Sequence, residues 1–174
     1  MKKIGLLSDT HSFLHPRIFE FFKGCDELLH AGDIGDMPTA NGLSKFKKLH
    51  AVYGNIDGAE VRRVYPLELR IRIEEVKILM THIGGYPGHY PAAMRSILLR
   101  DRPDLFICGH SHILKVMYDK QFGFLHINPG AAGRYGFHQS VTLVRFNISG
   151  NKIEDLEILD IPRGSEHSDL KSEI

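Results

Sequence analysis

Seven side chains able to ligate metal stand at the ends of short apolar runs: Asp9, His11, Asp33, Asn55, His82, His110 and His112. They are two carboxylates, one amide and four imidazoles. Such oxygen and nitrogen donors, with no cysteine among them, suit manganese, iron, zinc, cobalt or nickel. They do not suit Cu(I) or an iron–sulfur cluster. Seven donors exceed the four positions of one tetrahedral ion. If one carboxylate is shared, they make eight contacts, four to each of two ions. Two ions about 3.5–4 Å apart clamp the attacking and leaving oxygens in phosphoryl-ester hydrolysis. Imidazole binds a metal only when neutral, so acid is expected to release the ions.

Taken singly, these clusters are ordinary. Gly32-Asp33 and Gly54-Asn55 are common turn dipeptides, and a lone loop histidine usually makes a hydrogen bond. The signal is their order, because each closes an apolar stretch. Lys3 to Ser8 (KIGLLS), Glu27 to Ala31 (ELLHA), Leu49 to Tyr53, Val76 to Met80 (VKILM) and Asp104 to Cys108 (DLFIC) read as buried strands. Ligands gather beyond the carboxyl ends of such strands in α/β folds.

Helices are expected from Pro16 to Gly24, over Gly42 to Lys48, and from Pro91 to Arg100. Leu67 to Ile73 (LELRIRI) alternates strictly and reads as a half-exposed strand in a hairpin with VKILM. After Cys108, LKVMYD, FGFLHIN, SVTLVRFN and KIEDLEILD read as four antiparallel strands in a meander. Strand–helix alternation followed by β-rich chain predicts an α/β fold with two packed sheets flanked by helices.

The 174 residues are 43% hydrophobic and 25% charged, within the range of globular domains. The formal net charge is +1, so no global field favours nucleic acid or polycations, and nothing builds a nucleic-acid groove. Cys25 and Cys108 sit among apolar residues and read as buried thiols in a reducing compartment. MKKIGLLSDTH lacks the long apolar core of a signal peptide. No apolar run nears the ~20 residues that span a bilayer. The expected location is cytoplasmic, away from membranes.

The ordered set DTH (Asp9–His11), GDIGD (Gly32–Asp36), GNID (Gly54–Asp57), THIGG (Thr81–Gly85) and GHSH (Gly109–His112) resembles the calcineurin-like metallophosphoesterase superfamily. The short length, LHAGD (Leu29–Asp33) and INPGA (Ile127–Ala131) resemble its small YfcE-type phosphodiesterases. The resemblance implies a four-layer α-β-β-α sandwich with two mixed sheets. It also implies one metallophosphoesterase domain over 1–162, with a polar C-terminal tail over 163–174. Two divalent ions per chain are implied, manganese first, with nickel, cobalt, iron or zinc as alternatives. One ion would take Asp9, His11, Asp33 and His112, and the other Asp33, Asn55, His82 and His110. Asp33 would bridge the pair, and a bridging hydroxide would attack phosphorus in line. Asp33, Asn55 and His82 are then the residues expected to carry the reaction, with Asn55 also contacting substrate.

The sequence departs from the family at Ile56, where many members carry GNHD, with a histidine that assists the leaving group. Isoleucine transfers no proton, and it reads here as a packing residue. Asp57 reads either as a brace for Asn55 or a ligand histidine, or as a turn residue. His30 is expected in the core or behind the ligands. Arg134 is a weaker candidate for a substrate phosphate. The loop from Gly84 to Tyr90 follows a ligand and is expected to wall the site, and His89 in it is not expected to replace the acid. His15, His126 and His138 have no place in the pattern. The expected activity is hydrolysis of small or nucleotide-like phosphodiesters. The alternatives are a phosphomonoesterase, a nuclease, or a protein-binding scaffold of this fold as in the retromer sorting complex. The expected partner is a small phosphodiester, and self-association as a homo-oligomer stays open.

Overall fold

The computed structural model describes residues 1–134 and 140–162. The chain opens with β1 (Lys2–Leu7), α1 (Pro16–Phe21), β2 (Glu27–His30), α2 (Met37–Phe46), β3 (Lys48–Ala51) and α3 (Ala59–Val64). It continues through β4 (Glu68–Ile73), β5 (Val76–Thr81), α4 (Ala92–Asp101) and β6 (Leu105–Ile107). It closes with β7 (Leu114–Asp119), β8 (Phe124–Pro129), β9 (Ser140–Ser149) and β10 (Lys152–Pro162). His138 and the expected tail over 163–174 lie outside the described residues.

The strands form two five-stranded sheets, ordered β10-β9-β1-β2-β3 and β4-β5-β6-β8-β7. Within the first, β1, β2 and β3 run parallel; within the second, β5, β6 and β8 do. Side-chain alternation sorts each strand between two layers. Ile4 and Leu6 of β1, Leu29 of β2, Ile78 and Met80 of β5, and Leu105 and Ile107 of β6 meet between the sheets. Leu7 and Leu28 face outward, onto Ile18 and Phe22 of the α1 region and Leu43 of α2. On the opposite side, Leu79 and Phe106 face Met94 and Leu98 of α4. The result is the four-layer α-β-β-α sandwich, with both parallel cores buried on two faces.

The structure differs from the sequence reading at three points. The last four strands are not one meander. β7 and β8 pair with each other and join the second sheet, whereas β9 and β10 return to the first, where β9 lies beside β1. The local patterns establish that strands exist but contain nothing that selects a partner. α2 starts at Met37, not Gly42, because Asp36 accepts a hydrogen bond from Thr39 N–H at 2.8 Å and Pro38 occupies the first turn. α3 has no counterpart in the sequence reading; it is a six-residue helix whose N-cap, Gly58, makes no side-chain capping bond.

Two histidines are sealed in this architecture. Burial holds the imidazole pKa of His30 down to about 4, and that of His126 likewise. The unfolded chain, with imidazoles near pH 6.5, therefore binds the extra protons. Their stabilising contribution is complete above about pH 6.5 and is lost as pH falls towards 4. Each histidine accounts for up to about 3 kcal/mol over that window. Urea midpoints of the metal-free chain should fall steadily from pH 7 to pH 4.5. A midpoint that stays constant over that range would contradict the assignment.

Candidate metal centre

The five polar clusters lie just past the C-terminal ends of β1, β2, β3, β5 and β6. Main-chain hydrogen bonds carry the parallel pairing beyond the strands themselves. Asp9 N–H donates to Gly32 O at 2.9 Å, and His11 N–H to Asp33 O at 3.1 Å. In the second sheet, past β5 and β6, Gly109 N–H donates to His82 O at 2.9 Å. Asp9, His11, Asp33, His110 and His112 all have left-handed backbone, with φ between 48° and 68°. A non-glycine residue there costs roughly 1–2 kcal/mol. Five such residues among the seven candidate ligands mark a site where the surrounding fold imposes the conformation. One buried Leu or Ile, contributing about 1.5–3 kcal/mol, is enough to offset each.

Two groups of potential ligand atoms result, each with its atoms within 4.8 Å of one another: Asp9, His11 and His112, and Asp33, His82 and His110. In the first, His112 Nε2 is 3.0 Å from Asp9 Oδ1 and 3.4 Å from His11 Nε2. Asp9 is wholly buried, and its Oδ1 has no hydrogen-bond donor among the described residues. A buried carboxylate oxygen left this way is unfavourable by about 1–3 kcal/mol. It faces imidazole nitrogens that have lone pairs of their own, so a cation at their focus satisfies all three. In the second group, His82 Nε2 lies 3.2 Å from Asp33 Oδ2 and 3.1 Å from Asn55 Oδ1. His82 Nδ1–H donates to Ala31 O at 2.8 Å, which leaves the Nε2 lone pair directed at those oxygens. The groups adjoin, because His11 Nε2 is 3.9 Å from Asp33 Oδ2 and His82 Nε2 is 3.9 Å from Asp9 Oδ1. All seven expected ligands therefore lie close together, in two adjoining groups that could each hold a metal ion.

Electrostatics follow from that crowding. Burial disfavours the charged form of His82, but the carboxylates of Asp33 and Asp9 outweigh it and raise its pKa. Burial likewise opposes ionisation of Asp33, yet His82, which when protonated donates from Nε2, and Ile56 N–H hold its carboxyl below the usual range. The centre thus prefers to fill with positive charge, either protons or metal ions.

A ring of braces fixes the loops. Asp57 is buried and accepts three backbone N–H bonds, from Ile34 (3.2 Å), Gly35 (2.7 Å) and Gly54 (2.7 Å). It braces neither the Asn55 side chain nor a ligand histidine directly; it closes a turn onto Gly54 and ties that turn to the backbone after Asp33. His30, buried as expected, accepts from Gly32 N–H at Nδ1 (3.2 Å) and therefore donates from Nε2 to Thr10 Oγ1 (2.9 Å). Asn128 and Arg62 were not anticipated. Asn128 donates from Nδ2 to Gly109 O (2.8 Å) and Ser111 Oγ (3.0 Å), which anchors the loop between His110 and His112. The only sequence signal for it is an Asn-Pro-Gly at a strand end. Arg62 holds Asp57 O at 2.6 Å and Asn55 O at 3.1 Å.

The remaining candidates separate. The Ile56 side chain is 47% exposed and not a packing residue; its backbone N–H binds Asp33 Oδ1 at 3.0 Å. Arg134 is exposed and stacks over Phe13, its guanidinium carbon 4.0 Å from the ring centroid. The 84–90 loop walls a cavity beside His110, while His89 packs on Tyr86 with ring centroids 4.7 Å apart. Both cysteines are free and buried, and burial pushes Cys108 up to about 12.

Comparison with known proteins agrees with this geometry. Residues 1–151 match the model of the calcineurin-like phosphoesterase superfamily domain. A probable metallophosphoesterase of Methanocaldococcus jannaschii is 31% identical over 134 residues, covering 74% of this chain and 67% of that one. A solved structure described as a novel archaeal phosphodiesterase superposes with TM-score 0.66 and 21% identity, over 90% of this chain and 99% of that one. Wild-type Vps29 from Entamoeba histolytica, complexed with zinc, superposes with TM-score 0.61 and 20% identity, over 91% and 98% of the two chains.

Gly54 tests the tightness of the centre. A Cβ there would fall inside contact distance of Asp33 Oδ1 and the Asp33 backbone nitrogen. Gly54→Ala should displace the Asp33 carboxylate and weaken metal binding by roughly 10–100-fold. Competition with a chromogenic chelator measures this, and parent-like affinity would show that Asp33 takes no part.

Proposed function

The chain belongs to the calcineurin-like phosphoesterase superfamily, and we propose that it hydrolyses small phosphodiesters at a dinuclear metal centre held by Asp9, His11, Asp33, Asn55, His82, His110 and His112. The observation that carries this reading is the pair of Asp/His groups packed against each other, with the unpartnered Asp9 Oδ1 at their centre. Divalent ions bound there supply Lewis acidity to phosphoryl oxygens and bring the pKa of a bound water towards 7. The residues do the rest. Asp33 faces both groups and bridges them. Ala31 O fixes the His82 tautomer so that its Nε2 stays a ligand. Asn55 turns Oδ1 to His82, which leaves its amide N–H groups to donate to a phosphoryl oxygen and steady the charge that builds there.

Cavities of about 350 Å³ and 460 Å³ flank the second group, meeting at Ile83; one reaches Asn55 and His82, and the other reaches His110. Two spaces beside one phosphorus suit a diester, which has two substituents, better than a monoester, which has one. Arg134 remains a proposed phosphate contact only if it leaves Phe13. A protein-binding scaffold is the second reading, favoured by the exposed Val116, Met117 and Tyr118 on β7. The intact ligand set supports the enzyme. No helix among the described residues is long and apolar enough to cross a membrane.

Metal analysis coupled to hydrolysis of mono- and diesters sharing one leaving group, with Mn, Ni, Co, Zn and Mg in turn, tests the proposal. Asp33→Ala should reduce the rate by roughly 10³-fold and disturb both ions, while Asn55→Ala should cost roughly 10–100-fold. Full activity in Asp33→Ala would refute the assignment. Because Ile56 offers no proton, rates should also fall steeply as leaving-group pKa rises across a series of aryl diesters. Ile56→His should flatten that dependence, and a shallow slope in the parent would reveal another acid.

A further inference from the structure

The 460 Å³ cavity opens at His110 and runs away from the centre between the 83–86 loop and the segment leading from Ser111 into β7. Its size is that of a small-molecule pocket. Its apolar surface is unusual for a soluble chain. Ile83, Tyr86 and Ile113 are each 44–50% exposed, yet all three line this one space. Lys115 Nζ lies 4.5 Å from the Tyr86 ring centroid, and among the described residues no carboxylate pairs with it. None of the lining residues is acidic.

The polar groups offer protons. Ser111 Oγ accepts from Asn128 Nδ2 at 3.0 Å and from Ile113 N–H at 3.3 Å, which leaves its own O–H free to donate. The Lys115 ammonium has three N–H donors and, among the described residues, rests only on an aromatic face. Buried His126, which also lines the cavity, has no hydrogen-bond partner among the described residues at either ring nitrogen. A flat ring entering beside Tyr86 would take over the face that Lys115 now covers. Lys115 and Ser111 would then meet oxygen or nitrogen acceptors on its edge.

We infer that this cavity is a specificity subsite for the nucleobase of a nucleoside phosphate, with Tyr86 and Ile113 as its apolar walls and Lys115 and Ser111 reading the acceptor edge. The inference rests on the proposed function, because the phosphate of the same ligand would lie at the metal centre. It assigns a role to Lys115 and Tyr86, which stand outside the ligand motifs.

The test is a titration of the full chain loaded with zinc, followed by NMR of isoleucine methyls and backbone amides. The probes are adenosine 5′-monophosphate, ribose 5-phosphate and inorganic phosphate. Adenosine 5′-monophosphate should bind at least tenfold more tightly than ribose 5-phosphate and should alone shift Ile113 and Lys115. Tyr86→Ala and Lys115→Ala, both surface changes, should each lose at least fivefold of that advantage while changing ribose 5-phosphate affinity less than twofold. Equal affinity for the two sugar phosphates, or base-dependent shifts confined to Arg62 and Leu67, would overturn the subsite. Hydrolysis is scored separately. A chain that cleaves aryl diesters but ignores the base refutes the subsite alone. A chain that binds the base but cleaves no phosphoester refutes the proposed function and leaves the subsite standing.

Discussion

Two buried carboxylates facing imidazoles, with no arginine or lysine paired to them among the described residues, are the constraint from which the rest of this structure follows. Asp9 and Asp33 sit beneath the surface within 3.0–3.9 Å of histidine nitrogens. In a low-dielectric interior such charge is tolerated only if it is balanced. A lysine would neutralise it permanently. Imidazoles leave the balance open to an exchangeable cation. The left-handed residues, the close approach at Gly54 and the three N–H bonds into Asp57 all keep these oxygens in place while that charge is absent.

The architecture meets this demand by convergence of parallel strands. β1 to β3 deliver their C-terminal ends from one sheet, and β5 and β6 deliver theirs from the other. The apolar faces between the sheets fix the separation of those ends, so a change in packing at Leu29 or Met80 is felt at the centre only a few residues away. Each candidate ligand sits one to five residues past its strand, close enough to inherit the rigidity of the sheet.

Much of this was legible in the residues. Apolar runs ending in DTH, GD, GN, TH and GHSH mark the five strands, their polar ends and the seven candidate ligands that lie together there. Buried parallel strands write themselves as continuous Leu, Ile and Val, and turn chemistry marks where they stop. What stayed hidden is non-local. Which sheet β9 joins depends on its contact with β1, and Val141 to Phe146 would read the same beside any partner. α3 has no capping side chain to announce it. The work of Asn128 and Arg62 consists of bonds to distant carbonyls, which no spacing encodes.

His11 and His112 are neighbours in space but 101 residues apart along the chain. A cation gripping both would act as a reversible cross-link that closes most of the polypeptide into one loop. In the chain-entropy picture, closing a loop of about 100 residues is worth roughly 4–5 kcal/mol against the unfolded ensemble. The centre therefore has a mechanical side to it. An ion held by both histidines would also staple the first sheet to the second, and a chain emerging from synthesis would have to extend past residue 112 before that staple could close.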